Sequence, residues 1–480
     1  MLLAALLFGA VGQQLFFARA AGLNVLVATG LFLALGSWLR PRSRRTDVAD
    51  RWLPLGALVF AALCAIRADA ALLLFDAAAS ATLAAAWIAA LGGARVTRLD
   101  ARALASEVAH GIADLADRPT RLARAATGPI AKRVRSRTGR LARYAGGAVL
   151  ACPFLVVFSV LFASADPVYA RRMNDLLDVV RWREVLQDAG PRLLLFGVIA
   201  WVAAAALSKL ARPSLRHAAA ASPGLISVDT AAVLLGCVDL LFAAFVVLQV
   251  GYLFGGRDTI DAVDMPYSAY ARRGFFELIG CASLVSAILF GLGVPPRARG
   301  AVTSVLGIGL VGLTLTILVS AWYRLDLYQL AYGWTELRFY ALAAIVFLAL
   351  ALLIVGWCLV THRMRFALQP VLGGALLVAF GVNVIGPSAF VARADLERLI
   401  DPSTLPADAQ RGMDPAYLVS LGDGALPVLV GLLPSLRPAD QDRLRAWLRT
   451  RASVHWRDAD AWEHFNVDRV RARDALASLP

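Results

Sequence analysis

Charge and cysteine are both scarce in this chain of 480 residues. Charged residues make up 17% of it against 59% hydrophobic, and the mean hydropathy is +0.66. So little charge leaves too little polar surface to coat the two or three soluble domains such a length ordinarily gives. The five cysteines (Cys64, Cys152, Cys237, Cys281 and Cys358) lie inside or beside apolar segments, with no CxxC pair among them. This argues against a disulfide framework and against a cysteine metal or redox motif, and leaves them as small packing residues. Enzyme signatures are missing too. There is no HExxH, GxSxG or P-loop, and no GxGxxG in a strand–helix setting. His455 and His464, nine residues apart, lack a metal-ligand spacing and read as surface histidines. No catalytic residue, cofactor or metal ligand is expected.

What is present is a series of apolar runs of the length a helix needs to cross a bilayer. Met1 to Ala18 has no basic leader and is expected to be a retained first span. Gly22 to Leu39, Trp52 to Ile66 and Ala70 to Leu91 follow, the last two as a hairpin through Arg67, Ala68 and Asp69. Tyr144 to Ala165, Arg192 to Leu207, Ile226 to Phe254 and a run ending at Val294 come next. Ala301 to Tyr323, Leu337 to Val360 and Leu368 to Pro387 complete the series. The expected fold is all-α, a polytopic transmembrane helical bundle of about 11 spans with a small extracytoplasmic helical tail. Four parts follow: spans in 1–92, a basic cytoplasmic loop with an amphipathic helix in 93–143, seven spans in 144–387, and a tail in 388–480. In the tail, Pro415 to Leu421, Ala425 to Leu436 and Pro438 to Arg451 read as helices between Gly and Pro breaks.

The net charge of +14 would suggest nucleic acid in a soluble protein. Here its location gives it another meaning. With the N-terminus inside, the internal loops hold 24 Lys or Arg and almost no acid, whereas the external connectors hold twelve, mostly beside acids. The positive-inside rule therefore predicts a multi-pass inner-membrane protein with a cytoplasmic N-terminus and an extracytoplasmic C-terminus, and no nucleic-acid partner. Between Arg118 and Arg143 there are nine basic residues and no acid. Arg121, Arg124, Lys132, Arg133, Arg135, Arg137 and Arg140 form a candidate contact for anionic lipid, at about 1 kcal/mol per residue near the surface. The plainer reading, a solvated internal loop, is the more common one.

Polar side chains in apolar runs are the remaining candidates for function. Asp239 lies about a dozen residues into its span, near the midplane, and no basic residue of that span pairs with it. Asp76 lies two turns into the fourth span, with Asp69 seven residues earlier on the same face. Glu277 has Arg273 four residues before it. With Asp239 as its floor, this set predicts an outward-facing polar vestibule. The plain alternative is span ends reaching for water and helix–helix hydrogen bonds, and it is favoured for Asn24, Gln249 and Asn383. Two stretches predict one external face: Tyr267, Tyr270, Arg272 and Arg273 before the eighth span, and Arg324, Asp326, Glu336 and Arg338 in the connection between the ninth and tenth. An interfacial aromatic belt is the ordinary reading of the second.

Three stretches carry a family likeness. They are Tyr267-x-x-Tyr-Ala-Arg-Arg-Gly-Phe-Phe-Glu-Leu, Arg324-x-Asp-x-Tyr-x-x-x-Tyr-Gly-Trp-Thr-Glu-Leu-Arg-Phe-Tyr340, and Asn383-x-x-x-Pro-x-x-Phe-Val-Ala-Arg-Ala-Asp-Leu-Glu-Arg398, the last followed by Asp414-Pro-Ala-Tyr-Leu-x-x-Leu-Gly-Asp-Gly-Ala-x-Pro427. They resemble a bacterial multi-pass membrane family known as domain of unknown function 4153, with its relative 4173. The likeness covers the second half of the chain, and it departs at Asp395, where the pattern expects Asn. It implies an integral membrane protein and brings no activity, substrate or catalytic residue. The expected function is a non-enzymatic sensor or scaffold of the cell envelope whose tail meets an extracytoplasmic protein partner. The alternative is a transporter or permease working through the vestibule around Asp239. No clear inverted repeat or midplane helix break favours that alternative.

Overall fold

The computed structural model describes residues 2–40, 46–99, 182–208, 228–254, 275–291, 301–401, 412–454 and 462–479, with residues 210 and 403. Among these there is helix and turn and no strand. In chain order the helices are α1 (Leu2–Phe16), α2 (Leu23–Trp38), α3 (Leu53–Leu63), α4 (Ala70–Leu91), α5 (Trp182–Ser208), α6 (Val228–Phe254) and α7 (Phe275–Gly291). Then come α8 (Ala301–Tyr332), α9 (Glu336–Val360), α10 (Leu368–Ile385), α11 (Pro387–Ile400), α12 (Pro415–Ser420), α13 (Leu426–Leu432), α14 (Pro438–Val454) and α15 (Val467–Ala477).

Four of these, α4, α8 (from Val302), α9 and α10, are long and apolar enough to cross a bilayer, and α1, α2 and stretches within α5 and α6 are shorter apolar helices. They are apolar on every side, so packing against one another cannot hide them all. Leu74, Leu240, Val247, Val319, Trp357 and Leu377 all point outward from their helices. Water would penalise such a surface and lipid does not. The helices fit an integral membrane protein. The expected span at Tyr144 to Ala165 and the amphipathic helix before it lie outside the described residues.

Packing follows chain order in two groups. α1 lies along α5, and α2, α3 and α4 pack together around Leu33, Leu53, Phe60 and Leu83. A second group joins α6, α7, α8 and α9 around Leu235, Val285, Leu310, Leu352 and Val355. Leu376 and Ala379 of α10 reach the first group, and Val371 of the same helix packs with the second.

Two boundaries differ from the sequence reading. α5 begins at Trp182 and runs unbroken through Gly190 and Pro191 into the expected span, where the sequence pattern predicts a connector from Asp166 to Gly190 with a separate short helix around Asn174 to Leu186. Proline is tolerated within membrane helices because neighbouring groups can satisfy the backbone it frees. α8 continues to Tyr332, so Arg324, Asp326 and Tyr328 sit on a helix and not in a connection. No Gly or Pro interrupts that stretch, and Leu325 and Ala331 keep the buried face going. The helix ends only at Gly333, at φ +80°. In the tail, α11 and α15 were not foreseen as helices.

Candidate functional site

The helix turns gather at two ends. At one end Asp50 Oδ1 accepts from the Thr97 N–H at 2.9 Å and hydroxyl at 2.6 Å, Arg98 pairs with Asp47 at 3.0 Å, and Gln369 Nε2 donates to the Val96 and Leu99 carbonyls. This ties the α2–α3 connection, the end of α4 and the start of α10 together. At the other end the α1–α2, α3–α4 and α8–α9 turns are all covered by the tail.

The tail is a small helical unit with a core of its own. Val391, Ala392, Leu396, Leu426, Leu429, Leu444, Leu448, Ala472 and Leu476 are buried in it, together with Leu72 of α4 and Phe339 of α9. The tail residues recur at helical spacing within their segments, so each segment presents an apolar face to the others. Trp334, Phe339 and Phe390 stack where tail meets bundle, with Trp334 edge-on to Phe390 at 4.9 Å between centroids.

On the α1–α2 turn, the Leu23 N–H donates to the Phe465 carbonyl at 3.1 Å, and Arg19 pairs with Glu463 at 2.5 Å. Asn24, wholly buried, joins the ends of α1 and α2. Its Oδ1 accepts from the Gly22 and Val25 N–H, and its Nδ2 donates to the Leu15 and Ala20 carbonyls. This is the plain hydrogen-bonding role expected of it.

On the α3–α4 turn, Val467 and Asp468 N–H donate to the Ala65 and Ile66 carbonyls at 2.9 and 3.1 Å. Asn466 caps α15 through its Oδ1, while its Nδ2 donates to the Cys64 and Arg67 carbonyls at 3.0 and 2.7 Å. Arg67 reaches the other way. Its Nε donates to the Asn383 carbonyl at 2.6 Å, its Nη2 to the Val384 carbonyl at 3.0 Å, and its Nη1 lies 3.6 Å from Asp468 Oδ1. Gly386, at φ +73°, makes room: a Cβ there would stand 2.7 Å from Arg67 Nη1. Asp69, at the start of α4, is buried and bonded to Ser388. Burial raises its carboxyl above the ordinary range, as it does that of Asp468, while Arg67 works against the shift in both.

On the α8–α9 turn, Asp395 Oδ1 accepts the Trp334 N–H at 2.7 Å, and the Glu336 N–H donates to the Tyr417 hydroxyl at 3.1 Å. Arg338 donates to the Gly333 carbonyl and stacks over the Tyr328 ring at 4.1 Å, and Arg398 donates to the Gln329 carbonyl. Burial pushes the Asp395 carboxyl up to about 6, against the pull of the Trp334 N–H and of Arg398 and Arg338. The carboxylate does here what the expected Asn would do with its amide oxygen.

Of the expected site residues, Glu336 and Arg338 come together with the tail at this turn. Asp326 is about two turns before Gly333 on α8, bonded to Gln329, and Arg324 lies on the same helix. Tyr267, Tyr270, Arg272 and Arg273, and the basic set Arg121, Arg124, Lys132, Arg133, Arg135, Arg137 and Arg140, lie outside the described residues. Glu277 falls on α7. Asp76 is wholly buried on α4, with Asn383 Nδ2 3.0 Å from its Oδ1. Asp239 is on α6 against α8, where a Cβ on Gly309 would come within 3.6 Å of its Oδ2, and its Oδ1 is buried without a hydrogen-bond partner among the described residues. The sequence reading missed Arg67, Asn466 and Asp468. Asn466 before Val467-Asp468-Arg469 was a legible cap signal, but its bundle contacts were not.

Among the described residues no three His, Cys, Asp or Glu side chains gather as a metal site, and no disulfide joins Cys64, Cys237, Cys281 or Cys358. The family model described as Domain of unknown function (DUF4153) matches residues 55–432, from α3 to the end of α13. It begins well before the stretches that carry the likeness in the sequence. No curated protein and no solved structure matches the chain.

Proposed function

We propose that this chain, which belongs to the DUF4153 family, is a non-enzymatic sensor or scaffold of the cell envelope, held in the membrane by its helices and addressed through its tail. The observation that supports this reading is the seat of the tail. It closes as a helical unit over three inter-helix turns at one end of the bundle, through Asn466, Asp468, Glu463 and Asp395. A unit so joined to α1–α4 and to α8–α9 transmits a pull or a binding event on the tail to both helix groups. In this reading the end carrying the tail is extracytoplasmic, the N-terminus is cytoplasmic and the membrane is the bacterial inner membrane, as the basic internal loops favour. The Arg121 to Arg140 cluster then faces anionic lipid headgroups.

The test is genetic and biochemical together. A deletion strain is expected to lose tolerance of envelope stress. The wild-type chain should restore it, and a chain whose tail is unseated by Asn466→Ala and Asp468→Ala should not. Full restoration by that variant would sink the sensor or scaffold reading.

A second reading has one observation in its favour: the buried Asp239 Oδ1, without a hydrogen-bond partner among the described residues, at the α6–α8 contact. An unpaired carboxylate there suits a permease path. Solute flux in proteoliposomes that is lost in Asp239→Asn would replace the first reading with this one.

A further inference from the structure

Asp76 and Asn383 are both wholly or almost wholly buried, on α4 and α10, and one hydrogen bond between them leaves a particular deficit. Asn383 Nδ2 donates to Asp76 Oδ1 at 3.0 Å and to the Ala379 carbonyl at 3.1 Å. Both amide hydrogens are therefore used, and turning the amide over would set its oxygen against two acceptors. Asp76 Oδ2 and Asn383 Oδ1 remain, buried and without a donor among the described residues. Both are acceptors, and they sit on two planar groups already joined by one bond. A single hydrogen between them satisfies both.

We propose that Asp76 is a proton-binding site within the membrane, held as the neutral carboxylic acid with its Oδ2 hydroxyl donating to Asn383 Oδ1, so that acid and amide form a cyclic pair. The proton is the only ligand the site needs. The ionised form would bury a charge and leave two oxygens unpaired, which apolar surroundings penalise heavily. A hard divalent cation would ask for six or more oxygens, and no such cluster of acidic side chains gathers among the described residues.

The titratable groups around Asp76 come from α3, α4 and α9. Asp69 stands two turns earlier on α4. Cys64 at the end of α3 and Tyr340 on α9 are the other titratable side chains close to it. α2 presents no titratable side chain, since its sequence contains none, and meets α4 through Thr29 and Ser80. α5 packs at the far end of α4, around Ile88 and Leu91. Arg67 binds the Asn383 main-chain carbonyl and not the Asp76 carboxyl. Among these groups no cation holds Asp76 as an anion. Because Arg67 also holds Asp468, the proton sits two residues from the seat of the tail. The site rests on the membrane reading above and gives that reading a ligand.

Infrared difference spectroscopy on the full chain in lipid nanodiscs, in water and in heavy water, tests this directly. At neutral pH the wild type should show the C=O stretch of a hydrogen-bonded protonated carboxylic acid, sensitive to deuterium. That band should vanish in Asp76→Asn. It should move to higher wavenumber in Asn383→Leu, where the hydroxyl has lost its acceptor. Asp76→Asn puts an N–H in place of the O–H and adds one unpaired N–H, so it should lose less thermal stability than Asp76→Leu, which strands both Asn383 groups. If Asp76→Asn does not accumulate, the Asn383→Leu shift alone decides. The idea is overturned by a wild-type spectrum without such a band at neutral pH, by a band that Asp76→Asn leaves intact, or by one that Asn383→Leu leaves in place. An envelope phenotype or a flux result bears on the earlier reading and does not touch this band.

Discussion

Asp395 Oδ1 accepts the backbone N–H of Trp334 at 2.7 Å, so one side chain of the first tail helix closes the α8–α9 turn from 61 residues away. The Glu336 N–H on the Tyr417 hydroxyl, Arg338 on the Gly333 carbonyl and Arg398 on the Gln329 carbonyl hold the turn beside it. Gly333 is at φ +80°, and a Cβ there would stand 2.7 Å from Asp395 Oδ1. Asp395→Asn keeps an acceptor in place and is expected to stay within about 1 kcal/mol of wild type, whereas Asp395→Leu should lose about 1–3 kcal/mol by stranding the N–H. Thermal unfolding in detergent, at one pH near 7, separates the two.

The same residue sets a pH dependence. Its folded pKa of about 6 lies above the unfolded value near 4. The folded state thus binds the proton more tightly, and this contribution to stability is complete below about 4 and lost as pH rises through about 6. Wild type should lose stability over that window relative to Asp395→Asn. Parallel pH profiles for the two would contradict it.

Asn466 is buried and bonds four main-chain groups, two in its own helix and two on the α3–α4 turn. Asn466→Ala removes a helix cap worth about 1 kcal/mol and leaves the Cys64 and Arg67 carbonyls short of a donor, a further 1–3 kcal/mol or so. Limited proteolysis should cut the tail of this variant several-fold faster while the bundle stays intact.

Arg19 and Glu463 meet at 2.5 Å across 444 residues. Arg19→Glu should loosen the tail through like-charge repulsion, and adding Glu463→Arg should recover most of the loss. The coupling, about 1 kcal/mol or less for a part-exposed pair, should shrink in high salt. Strictly additive effects in the double-mutant cycle would show that the pair is not coupled.

Sidedness can be read with thiol labels. In a variant with the native cysteines replaced, Arg98→Cys and Asp401→Cys are both exposed and lie at opposite ends of the bundle. A membrane-impermeant maleimide on intact cells should reach residue 401 and not 98. Labelling of both from one side would refute the two-ended arrangement.

Helix limits were legible where a single residue marks them. α9 and α10 start and stop within two residues of the apolar runs, and α4 matches its run at both ends. The stretch Arg324 to Tyr332 was not legible. Charges and aromatics in a row look like a connection, and only the continuous buried face through Leu325 and Ala331 keeps it helical. Glu336, Arg338 and Asp76 could be suspected from their position alone. Arg67 could not, because a lone Arg between two apolar runs looks like any span end reaching for water.

Composition by itself determined that the long apolar helices suit lipid: apolar on every side, they carry more such surface than water tolerates. Local signals determined where most of them begin and end. The tertiary structure alone decided that the tail seats on three turns and that Asp76 meets Asn383. Those contacts join residues 61 to 444 positions apart, and hydrogen bonds of that reach leave no periodicity or spacing in the chain, since neither partner's neighbours need to know of the other.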